Sequence, residues 1–131
     1  MKRRVAREKA LQALYQIDLS DIPVDEAIEN VLDGEEHNDF LHSLVVNTVE
    51  HLDEIDETIK RYLEKWSIDR LAKVDLNILR IGVYELLYND EVPKNVAINE
   101  AIEVAKRFGD EKSSKFINGI LSKVKAEVEN Q

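Results

Sequence analysis

Three histidines, His37, His42 and His51, are the side chains of this 131-residue chain best suited to metal ligation or proton transfer near neutral pH. Asp39 and His42 reproduce the carboxylate-x-x-His spacing that di-iron bundles use on each of two helices. Only one copy is present, and in a chain with 27 acids the spacing arises readily by chance. The histidines therefore read as solvated helix-end residues, and no metal site is expected. Cysteine is absent, which removes disulfides and thiolate zinc sites. The chain also lacks a P-loop, a glycine-rich dinucleotide fingerprint, a nucleophile elbow and the His-Glu-x-x-His motif. Triads assembled from distant residues leave no local motif, so this reading leans against an enzyme without excluding one. No cofactor is expected.

The residues that do stand out bind anions. The opening "MKRRVAREKA" carries Lys2, Arg3, Arg4, Arg7 and Lys9 against the single acid Glu8, a formal +4 in a chain whose net charge is −9. The remainder is therefore at −13, a balance that repels phosphates and discourages nonspecific binding to nucleic acid. Cations at the start of a helix oppose its dipole, at a cost of roughly 0.3–1 kcal/mol each, so folding stability alone would not choose them. A chain this acidic needs no further charge for solubility. A concentrated basic end is better explained as an anion site, with RNA or DNA as the anion. Tyr15, two helical turns after Arg7, offers a stacking surface, although core packing is the commoner role of such a tyrosine. Arg80, in "ILRIGVYEL", needs an internal carboxylate, a carbonyl or a phosphate as partner, and an internal ion pair is the default.

Apolar residues recur at helical spacing almost throughout, so the predicted fold is all-α, about seven helices in two small packed bundles. One domain spans 1–131, with sub-bundles of about 1–53 and 54–131. The first helix buries Ala6, Ala10, Ala13, Leu14 and Ile17 and ends near "LSDIP", and Asp25 and Glu26 suit the first turn of a short second. A third carries Phe40, Leu41, Leu44, Val45, Val49 and Leu52. A fourth carries Ile55, Ile59, Tyr62, Leu63 and Trp66, with Ser67 or Asp69 as cap of the next. The fifth, Leu71 to Leu87, is apolar on more than one face and should be central. Gly109 is expected to close the sixth as a left-handed cap, and Gly119 to permit a close crossing of the seventh. The tail "KAEVENQ" is expected to fray. No stretch is apolar enough for a signal peptide or a membrane span, which predicts a soluble, cytoplasmic protein with no membrane partner.

Three segments, "AREKALQALYQ", "VDLNILRIGVYEL" and "VPKNVAINEAIEVAKRFGDEKSSKFINGIL", resemble the NusB family of bacterial transcription antitermination factors, in the right order over nearly the whole chain. The resemblance implies an all-helical fold of two bundles and a noncatalytic role in processive transcription of ribosomal RNA. It implies binding of the boxA element of nascent RNA together with NusE, also a small-subunit ribosomal protein, within the antitermination complex on RNA polymerase. The family's arginine-rich RNA-contacting end matches Lys2, Arg3, Arg4 and Arg7, and its RNA-facing aromatic matches Tyr15. Tyr62, Arg80, Phe108 and Phe116 match further positions of the RNA surface, with Lys112 and Lys115 in the matching loop and last helix. Relatives can carry an acid where this chain has Lys112. Asp75 matches a contact for NusE, although Leu76 replaces the basic residue that often follows it.

Two other readings compete. A similar helical domain precedes some RNA cytosine methyltransferases, but a glycine-rich cofactor loop and a cysteine nucleophile are both missing, so methyl transfer is not expected. A pure interaction scaffold would dock the basic end on an acidic protein. If three or four cations neutralise phosphates of a single strand, log K should fall against log salt with a slope of about −2 to −3.

Overall fold

The computed structural model describes residues 1–64 and 67–131, so Lys65 and the expected core residue Trp66 lie outside the described residues. Among the described residues seven α-helices form: α1 (Arg3–Ser20), α2 (Val24–Leu32), α3 (Asp39–Glu50), α4 (Leu52–Arg61), α5 (Lys73–Tyr88), α6 (Lys94–Phe108) and α7 (Glu111–Glu129), with a short 3-10 turn at Ile68–Arg70. The all-α expectation holds. Helix α1 packs on α2 and α3; α5 packs on α4, α6 and α7; and contacts of α1 and α3 with α5 join the two groups.

Local chemistry sets the element ends. Asn38 accepts a hydrogen bond from Leu41 N at 2.9 Å to cap α3, and Asp110 accepts one from Ser113 N at 2.8 Å to cap α7. Asp25 and Glu26 occupy the first turn of α2, and Lys106 and Arg107 the last turn of α6, each suiting the helix dipole. Helix α1 does the opposite: its first turn holds no acid, and no side chain caps it. It ends at Asp21 in the left-handed conformation, φ 52°, donating to Ile17 O.

Leu76 through Leu86 are buried around the whole circumference of α5, which makes it the central element expected from its sequence. Several expectations require correction. Neither Ser67 nor Asp69 caps the fifth helix: Ser67 precedes the 3-10 turn, and α5 starts after Ala72. Gly109 has φ −121°, so it is no left-handed cap; a Cβ there would come within 3.1 Å of Ala105 O, and the position requires space. The close approach assigned to Gly119 belongs to Gly82, where a Cβ would lie 2.7 Å from Leu121 Cδ1, whereas a Cβ on Gly119 meets nothing within 4 Å among the described residues. Leu52 begins α4 rather than ending α3, Tyr62 and Leu63 follow α4, and α7 stays helical to Glu129.

Candidate nucleic-acid interface

Five cations opened the chain as one cluster, and the fold sorts them. Arg7 is drawn inside: its Nε and Nη2 donate to Glu85 Oε1 and Oε2, each at 2.8 Å, with the two side chains 4% and 1% exposed. A fully desolvated, bidentate pair of this kind gives α1 a fixed register on α5. Lys9 donates to Val31 O at 2.9 Å and lies 3.4 Å from Glu35, fastening α1 to the end of α2. Lys2, Arg3 and Arg4 remain exposed. Arg4, 53% exposed, is gripped by Glu100 of α6 at 2.6 and 3.2 Å, and this hydrogen-bonded guanidinium holds the Glu100 carboxyl below its usual range. Arg3 has no carboxylate within 4 Å among the described residues; its guanidinium lies 4.6 Å over the Phe40 ring.

Ion pairs along α1 fix the directions of its neighbours. Arg7–Glu85 and Asp18–Lys73 run antiparallel along α5, whereas Arg4–Glu100 and Glu8–Arg107 run parallel along α6. The expected RNA residues therefore divide between the two ends of the bundle. Lys2, Arg3 and Arg4 stand at the start of α1. Tyr15, 37% exposed, lies on the Arg4 face eleven residues on, about 16 Å away along the helix, where α6 ends and α5 begins. The same end holds half-buried Phe108, with the Arg107 guanidinium 5.5 Å over its ring, and exposed Lys112, which lacks a carboxylate within 4 Å among the described residues.

Tyr62, Lys115 and Phe116 converge on a groove between the end of α4 and α7, together with Lys123 and Gly119. Gly119, with no neighbour within 4 Å of a Cβ among the described residues, forms groove floor rather than a helix crossing. Burial first, then the neighbouring Glu127 carboxylate, pushes the Tyr62 hydroxyl pKa upward.

Arg80 is not on this surface. Its Nε and Nη2 donate to Asp56 at 2.9 Å each, Nη1 donates to Asn77 at 3.1 Å, and Asp18 lies 3.5 Å away: the internal ion pair expected by default. Asp75 accepts from Ser113 Oγ at 3.3 Å, beside the start of α7. Burial and the neighbouring Asp110 charge push its pKa up, opposed by that hydrogen bond. At the histidines, Asp39 is bound by His37 Nε2 at 2.9 Å rather than by His42. Among the described residues no group of three His, Cys, Asp or Glu could hold a metal ion, and no helix is long and apolar enough to cross a membrane.

Sequence reasoning placed Phe40 only in the third helix and missed Lys123 altogether: packing brings Phe40 against Arg3 and Arg7, and Lys123 into the groove with Lys115.

A family model described as the NusB family matches residues 4–126. The transcription antitermination protein NusB of Bacillus subtilis strain 168 is 56% identical over 129 residues, covering 98% of each chain. Among solved structures, NusB of T. maritima superposes with a TM-score of 0.89 at 40% identity, covering 97% of this chain and 92% of that one. A crystal structure of antitermination factors NusB and NusE in complex with double-stranded RNA matches with a TM-score of 0.87 at 33% identity, covering 95% and 96%. The helix order, the exposed basic start of α1 and these matches over almost the full length place the chain in the NusB family.

Proposed function

We propose that this chain is a noncatalytic, cytoplasmic RNA-binding antitermination factor, which grips the boxA element of nascent ribosomal RNA together with NusE and supports processive transcription by RNA polymerase. The observation that carries the reading is the exposure of Lys2, Arg3 and Arg4 at a helix start, where the dipole opposes them, while Arg7, Lys9 and Arg80 are tied into the fold. The full-length likeness to a NusB–NusE complex with RNA supports the same reading.

In this account Lys2, Arg4, Lys112 and Lys115 contact phosphates, and Arg3, Tyr15, Tyr62, Phe108 and Phe116 offer planar faces or hydroxyls to unpaired bases. Arg7 and Arg80 act through the fold, as positioning residues. Asp75 is the contact for NusE, its carboxylate held half-buried beside the α7 start.

The test replaces Lys2, Arg3 and Arg4 together with Ala and measures binding of a boxA-like single strand. The expected result is weaker binding with unchanged helical circular dichroism. Undiminished affinity would refute the assigned role. A preference of the unaltered protein for duplex over single-stranded RNA would refute the single-strand reading.

A further inference from the structure

The groove between the start of α1, α3 and the loop after α5 has the chemistry of a base pocket rather than of a phosphate site. Arg3 and Phe40 line one side; Asn47, Asn89, Asp39 and Glu91 line the rest. Two carboxylates in the lining repel a phosphate, yet neither lies within 4 Å of a guanidinium nitrogen of Arg3. The Arg3 guanidinium instead lies over the Phe40 ring, 4.6 Å from its centre, and the buried Arg7 guanidinium lies 5.1 Å from the same centre. Arg7, held along one edge by Glu85 through two hydrogen bonds, fixes one neighbour of the ring. Arg3 is the exposed one, and a guanidinium plane on an aromatic ring is a surface on which a nucleobase stacks.

The polar groups match a base edge. Asn47 Nδ2 donates to the Tyr84 hydroxyl at 3.0 Å, which leaves Asn47 Oδ1 as an acceptor. Asn89 Oδ1 accepts from Glu91 N at 3.1 Å, which leaves its amide nitrogen as a donor. With the Glu91 carboxylate they put acceptors and a donor in one lining, the groups needed by a base that carries an exocyclic amine and a ring acceptor.

We infer that this groove holds one unpaired, amine-bearing nucleobase of the bound RNA, stacked on Arg3 with Phe40 behind it. The inference rests on the RNA-binding reading above and adds a base-selective pocket to it.

The test uses the full chain with NusE and boxA-like single strands carrying 2-aminopurine, a fluorescent amine-bearing base, at each position in turn. The unaltered protein should quench one position at least twofold. Two variants separate stacking from charge: Arg3→Lys keeps the cation and loses the plane, and Phe40→Leu keeps apolar packing and loses the ring. Both should abolish the quenching at that position and weaken binding about tenfold, with the salt slope unchanged because no cation is lost. Quenching that survives in both variants, or wild-type affinity for Arg3→Lys, would overturn the pocket while leaving the RNA reading intact. Failure of the unaltered protein to prefer boxA-like over scrambled RNA would overturn both.

Discussion

The Arg7 guanidinium and the Glu85 carboxylate, 78 positions apart in the chain, meet face to face through two 2.8 Å hydrogen bonds in the interior between α1 and α5. Breaking a buried pair leaves one uncompensated charge, so Glu85→Gln should cost about 3–5 kcal/mol of stability by denaturant unfolding. Replacing both partners with apolar residues, Arg7→Met with Glu85→Leu, should recover most of that loss. If the single substitution proves neutral, the pair does not anchor α1.

Sequence alone did not separate Arg7 from Arg3 and Arg4. The three occupy adjacent positions on the first two turns of one helix, and what distinguishes them is Glu85 and Glu100, contributed by helices far along the chain. Helix number and the central place of α5 were legible because apolar spacing is a local property. The roles of Gly82, Gly109 and Gly119 were not, because they depend on Leu121, Ala105 and Ser113 in three dimensions.

The two α-helical glycines should respond in opposite ways to alanine. Gly119→Ala meets nothing within 4 Å among the described residues and should stabilise the protein by about 0.5–1 kcal/mol through helix propensity. Gly82→Ala drives a methyl into fully buried Leu121 and should destabilise by about 1 kcal/mol or more, overpacking outweighing propensity. Thermal melts of the pair check both signs. A larger side chain, Gly119→Leu, should also fill the groove between Tyr62 and Phe116 and weaken RNA binding at unchanged fold.

Two kinds of carboxylate give opposite pH dependences. The Asp75 pKa is raised, chiefly by burial, so its contribution to stability is fully present below the unfolded pKa near 3.8 and is lost as pH rises through the folded value. Asp75→Asn should therefore raise the melting temperature at pH 7 and leave it unchanged at pH 3, while weakening NusE binding. Glu100 runs the other way. Its pKa is lowered by the Arg4 hydrogen bond, so its contribution is present above the unfolded pKa near 4.5 and is lost as pH falls through the folded value. Glu100→Gln should lower the melting temperature at pH 7 and have little effect below pH 3.

The salt response should distinguish the cations by burial. With Lys2 and Arg4 on phosphates, each alanine substitution at Lys2 or Arg4 should reduce the slope of log K against log salt by about 0.7. Arg7→Met should lower affinity through the fold and leave the slope unchanged. A slope change at Arg7 equal to that at Lys2 would place Arg7 on the RNA.

The most direct test of the account is the binding of a boxA-like single strand and of a scrambled strand of the same composition, each measured with and without NusE. The account predicts tighter binding of the boxA-like strand, with the preference widened by NusE. Equal affinity for the two strands under both conditions would contradict it.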